Sequence, residues 1–167
     1  MSCRCLSTNV RSDWRREALL RDLKAHGPKG GTDPLLLFTL AYSGVSQQDE
    51  TMKLLLGRVL GAPLTGTYQV ALMASAFAAI DPVTYRRSLA RYAQYLVDMQ
   101  CDNGQWSYGG KYEVPMEDGE SPGTERAPAK IKIKRIKKLG RASGDNSCSQ
   151  YAALGLKACA TAGIEFD

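Results

Sequence analysis

Two places in the chain set carboxylates side by side, Asp49-Glu50 and Glu117-Asp118, and paired acids are what proton transfer from a neutral carboxyl needs. The first pair lies at a predicted helix start and the second in a polar insertion. The only histidine, His26, closes a charged N-terminal helix, where it suits the negative end of the helix dipole better than a metal, so little general-base capacity remains. Cys3 and Cys5 would need further metal ligands that the sequence does not nominate, and Cys148 and Cys159 fall in an apolar helix as small core residues. Neither a Ser-His-Asp order, a thioester sequence nor a phosphate-cradling glycine loop is present. The sequence names no cofactor and no metal, and its reading leans away from catalysis.

The elements that would position such residues are helices. A charged helix is expected over 13–26, burying Trp14, Ala18 and Leu23, after an unstructured segment 1–11. The run from Leu35 to Tyr42 is apolar nearly all round, with Asp33 as its expected cap and Pro34 at its first position. Met52, Leu55, Leu56 and Val59 form one stripe of a third helix, opened at Ser46 with Asp49 three residues on. The fourth, from Thr67 to Ile80, carries no charge. The fifth, 82–99, stripes Tyr85, Leu89, Tyr92, Leu96 and Met99 against Arg86, Arg87, Arg91 and Asp98. The sixth runs from Ser147, with Gln150 at capping-box spacing, to Gly163. Amphipathic and apolar helices therefore alternate, as three antiparallel hairpins with outer and inner helices require, at a period of roughly forty residues. The predicted class is all-α, a single domain over 12–163.

The fifth helix ends in Gln100-Cys101-Asp102-Asn103-Gly104-Gln105-Trp106, where Asp-Asn-Gly tolerates left-handed backbone and turns the chain so that Trp106 folds onto a neighbouring helix. A Gln100 amide there is placed to bond orphan groups of an adjacent helix end. With Arg91, Tyr95 and Leu96, the residues Gln100, Gly104 and Trp106 resemble the repeat motif of the terpene-cyclase and protein-prenyltransferase superfamily. Tyr92 departs from that motif's small residue. Gly144-Asp145-Asn146-Ser147-Cys148-Ser149-Gln150-Tyr151-Ala152, and Thr67-Tyr68-Gln69-Val70-Ala71 before the previous inner helix, look like repeat starts of non-catalytic, squalene-cyclase-like bacterial members. The resemblance covers 33–163.

What the resemblance implies is an α/α toroid, here only an arc of three hairpins, acting as a binding or scaffold module. The alternative it leaves is a fragment of a toroid enzyme, terpene-cyclase-like or polysaccharide-lyase-like, with its catalytic residues elsewhere. The Asp-x-Asp-Asp, Asp-Asp-x-x-Asp and zinc-ligand sets of the catalytic members are missing from the sequence. In that fold class inner-helix ends line a central depression, which makes Tyr68, Gln69, Tyr108, Asp145, Asn146, Gln150 and Tyr151 the candidate binding residues. A homo-oligomer or a longer-chain neighbour would complete the arc.

Residues 107–144 interrupt the helices. Glu113, Glu117, Asp118, Glu120 and Glu125 precede Arg126, Lys130, Lys132, Lys134, Arg135, Lys137, Lys138 and Arg141. This segregated stretch accounts for much of the net charge of +5. Lys130 to Lys134 alternates as a strand, with 112–116 as its expected partner. The two arms either neutralise each other or present 126–141 to an anionic partner, and the basic arm has no aromatics for base stacking. The five scattered cysteines do not form a secreted disulfide framework, and no apolar leader or run of about 20 apolar residues occurs, which points to a cytoplasmic protein.

Overall fold

The computed structural model describes residues 32–115 and 128–166, with Glu17, Ala18, Arg21 and Ala25 described singly. Those four are helical and exposed, Ala18 included, although Ala18 was expected on a buried stripe. The remainder of 1–31, with Cys3, Cys5 and His26, and the acidic residues Glu117, Asp118, Glu120 and Glu125 lie outside the described residues. Among the described residues the fold is all-α in character: α1 (Asp33–Tyr42), α2 (Glu50–Leu60), α3 (Thr67–Ile80), α4 (Arg86–Asp98) and α5 (Asn146–Thr161), with two-residue strands β1 (Ile131–Lys132) and β2 (Ile164–Glu165). No helix among them is long and apolar enough to cross a membrane.

Cap chemistry moves several helix starts. Asp49, not Ser46, caps α2, accepting from the Thr51 and Met52 amides at 2.8 and 3.3 Å. Asp145, not Ser147, caps α5. Asp33 sits inside the first turn of α1 after Thr32, and its carboxylate is buried against Arg58 at 2.9 Å. Asp81 organises a turn before α4 by accepting from the Val83 and Thr84 amides, so the helix begins at Arg86 rather than Pro82.

The charge-poor helices α1, α3 and α5 contact each other in that order, with α3 in the middle, while α2 packs on α1 and α4 packs across α3 and α5. Phe77, Val70 and Met73 of α3, Leu89, Tyr92 and Leu96 of α4 and Leu37 and Leu40 of α1 are all essentially inaccessible in one continuous core. The α3–α5 contact is the closest. A Cβ on Gly155 would lie 2.8 Å from the Ala71 Cα, and 3.1 Å from both the Ala71 Cβ and a Leu96 methyl. Gly155→Ala, which in an exposed helix interior would add about 1 kcal/mol, is therefore expected to destabilise by about 1–3 kcal/mol through overpacking. Urea unfolding reads the difference, and a gain in stability would show that α3 and α5 separate freely.

The insertion is laid back on this body. The alternation at Ile131–Ile133 is real, with Ile133 buried and Lys132 exposed, but its partner is not 112–116. β1 pairs in parallel with β2 beyond α5, Ile131 opposite Ile164 and Lys132 opposite Glu165. Tyr112 and Val114 enter the core on their own account.

Candidate functional site

At the turn after α4, the joint forms through the tryptophan rather than the glutamine. The Gln100 amide donates to the Gly104 carbonyl of its own turn at 3.0 Å, and so does not reach a neighbouring helix end. The Trp106 indole N–H donates to the Leu96 carbonyl at 2.7 Å, filling one of the acceptors that the last turn of α4 leaves open. Its backbone N–H donates to the Ser149 hydroxyl at 3.0 Å, and the Asp145 N–H donates to its carbonyl at 2.9 Å. Trp106 thus ties the end of α4 to the start of α5, with its ring half-buried rather than fully enclosed. A Cβ on Gly144 would stand 2.2 Å from the Trp106 carbonyl oxygen, so only glycine permits this backbone approach. Of the other motif residues, Tyr95 and Leu96 are buried, and Gly104 takes a φ of 83° in the turn.

Three candidate tyrosines meet beside this joint. Tyr68, at the start of α3, lies with its ring centroid 4.5 Å from that of Tyr151 on α5 and 6.0 Å from that of Tyr108. Tyr108 is 70% exposed, and its backbone carbonyl accepts from the Thr67 N–H at 2.9 Å, which holds its loop against the open end of α3. The Tyr68 contact with Ser147 favours the ionised hydroxyl, but desolvation with Cys148 and Asp145 nearby outweighs it and raises the pKa. Asp145 and Asn146 are committed to structure: Asp145 accepts from the Cys148 N–H at 2.8 Å and the Ser147 hydroxyl at 2.7 Å, and Asn146 accepts from the Gln105 amide at 3.0 Å. Gln150 is exposed, and Gln69 lies against Gly66.

A separate apolar groove lies along the C-terminal half of α3, with α1 and α5 as its walls. Its cavity is about 400 Å³, floored by Ser75, Ala78 and Ala79 and flanked by Phe38 and Tyr42 on one side and Leu154 on the other. Among the described residues Lys157 is the one charged side chain on its walls. Tyr42 and Leu154 are 64% and 59% exposed, an unusual allowance for large apolar side chains on neighbouring helices.

The residue that sequence reasoning misplaced is Asp98. The helical wheel puts it on the polar face of α4, yet it is 0% exposed because the insertion covers it. Its Oδ1 accepts from the Gln94 amide at 3.0 Å and from the backbone N–H groups of Ile136 and Lys137 at 2.9 and 3.1 Å, and its Oδ2 accepts from the Tyr112 hydroxyl at 2.9 Å. Burial, first, and the Asp98 carboxylate push the Tyr112 hydroxyl up to about 12. The signal that could have found Asp98 is the apolar spacing of Ile131, Ile133 and Ile136, which obliges the insertion to seat on a helix and bury whatever polar groups lie beneath.

The basic arm is accordingly no free arm. Lys130 pairs with Glu165 at 2.6 Å and Lys138 with Asp102 at 2.7 Å, Lys137 lies 5.3 Å over the Tyr112 ring, and Arg135 donates to the Gln100 carbonyl. These partners lie outside the acidic stretch that was expected to neutralise the arm. The carbonyl of Lys134 accepts from the Gln94 amide at 2.8 Å, while the Lys132 and Lys134 side chains are exposed.

Among the described residues no cluster of His, Cys, Asp and Glu is arranged to hold a metal ion. Desolvation, then Asp145, pushes the Cys148 thiol up to about 11, and desolvation pushes Cys159 up to about 12. No family model matches the chain, and neither a curated protein nor a solved structure does.

Asp98→Ala should cost about 3–5 kcal/mol, because it strands several buried donors worth about 1–3 kcal/mol each. Hydrogen exchange at the Ile136 and Lys137 amides should accelerate in the same variant; unchanged protection would mean the carboxylate does not hold the insertion. Trp106→Ala is expected to cost about 2–3 kcal/mol, less than a fully enclosed ring would. The Asp145 carboxylate is held below its ordinary pKa, foremost by the Cys148 backbone N–H and then by the Ser147 hydroxyl. The folded state therefore favours its ionised form, the cap is intact above the unfolded-state value of about 4, and it is lost as pH falls through the lower folded value. Acid titration should fray the first turn of α5, and Asp145→Asn should remove that dependence.

Proposed function

We propose that this chain is a non-catalytic arc of the squalene-cyclase and prenyltransferase type of α/α toroid, in which α1, α3 and α5 are the inner helices of successive hairpins and α2 and α4 outer ones. It acts as a binding module, and its inner groove receives the apolar surface of another helical polypeptide. The observation that carries this reading is the groove itself. Exposed Tyr42 and Leu154 stand over a floor of small side chains, and no carboxylate of the described residues lines it. A surface of this kind gains by losing water against another apolar face, at roughly 25 cal/mol per Å² buried.

In a solution of this chain alone the available partner is a second copy. Light scattering with small-angle X-ray scattering across a concentration series is expected to show reversible association, abolished by Leu154→Asp with helical content retained. A compact monomer at every concentration, indifferent to Leu154→Asp, would remove the groove as a polypeptide-binding surface. A second reading, a segment of a toroid enzyme, draws support from α1, which among the described residues packs chiefly on α2 and α3 while Leu35 stays 52% exposed. Additional hairpins in the same open reading frame would favour it.

A further inference from the structure

A second cavity, of about 560 Å³, lies on the other side of α4, between that helix and the insertion. Its size falls within the roughly 300–1,000 Å³ typical of small-molecule sites. Arg87 and Arg91 project into it from α4 one turn apart, and Lys132 and Lys134 line it from the insertion. The rest of the wall is largely apolar, with Val114, Ile131 and Ile133 among its residues, and no carboxylate of the described residues lines it.

Arg91 is the decisive side chain. Its Nε is buried without a hydrogen-bond partner, and no ion pair to Arg91 occurs among the described residues. Asp98, two helical turns further on, cannot serve it, since both oxygens already accept from Tyr112, Gln94 and two backbone amides. Arg91 as a whole is half-buried, but its Nε, withdrawn from water without a partner, is unfavourable as it stands, and the planar fork of donors matches a carboxylate or a phosphate.

We infer that this cavity is a binding site for a small amphiphile, with a carboxylate or phosphate head held by Arg91 and the neighbouring cations and a short apolar body against the isoleucines. The site is separate from the inner groove and stands whether or not that groove binds a polypeptide. The rival occupant is the chain's own acidic stretch, because Pro115 and Pro128, both on the cavity wall, are the residues between which Glu117, Asp118, Glu120 and Glu125 run in the sequence.

The test is an NMR titration of the full chain, following the Arg91 Nε–H resonance and the amides of 131–136, with octyl phosphate and octanoate as probes and inorganic phosphate and octanol as half-ligands. Saturable shifts are expected with either amphiphile, at higher affinity than with either half-ligand. Arg91→Gln should weaken binding by about tenfold or more, the loss of one charge-assisted pair. The same variant should leave the melting temperature of the ligand-free chain unchanged or raised, which a residue serving only the fold would not do. Absence of saturable shifts at Arg91, or equal binding by Arg91→Gln, overturns the inference. Equal affinity for inorganic phosphate overturns the apolar half of it. Binding that emerges only when Glu117, Asp118, Glu120 and Glu125 are changed to their amides assigns the cavity to the chain's own acids and overturns it as well.

Discussion

A helix with no charged side chain has no face that water favours, and α3 is such a helix. Nearly every position from Val70 to Phe77 is buried, so the molecule must supply neighbours on several sides at once. α1, α4 and α5 do so, and the small side chains of α3 together with Gly155 set how near α5 comes. Much of the remaining architecture follows from that enclosure. Amphipathic α4 lies where one apolar stripe can cover α3 and α5 together, and among the described residues α3 is thinly covered at the floor of the groove.

The insertion obeys a different rule. Its backbone has little regular structure to satisfy its amides, and Asp98 substitutes for the missing ladder by accepting two of them directly. A buried carboxylate is tolerated when every lone-pair direction meets a donor, and Tyr112 and Gln94 complete that set. The cost of the arrangement falls on α4, where the Arg91 Nε is buried beside the insertion without a hydrogen-bond partner. The chemistry of the outer cavity is thus a by-product of how the insertion is fastened.

Much of this was legible in the sequence. Helical periodicity and the glycine and proline breaks locate α1 to α5, because each helix is long enough for its stripe to repeat and each break is chemically distinct. The approach of Tyr68 and Tyr151 is consistent with helix starts set at one end of a stack, whereas Tyr108 reaches them from a loop. What the sequence conceals is whatever depends on non-local pairing. β1 is two residues long and finds its partner more than thirty positions away, beyond α5, so no periodic signal can choose between that partner and 112–116. Asp98 looks solvated because a helical wheel has no knowledge of what a later segment lays over it. Gln100 and Trp106 were both seen at the joint, but which of them bonds across it depends on the direction of an indole N–H that spacing does not encode.

The pairing of Trp106 with Asp145 brings together the two ends of everything between them. Residues 107–144 therefore leave the helical stack and return to it at a single point, as a loop drawn closed by a knot. The entropy of closing such a loop grows only with the logarithm of its length, and the seating of Tyr112, Val114 and Ile133 in the core offsets it. The neck is held by backbone geometry and Ile133 by burial, while exposed positions such as Lys132 and Lys134 are open to recharging. A chain built in this way can acquire a new surface specificity without renegotiating its core.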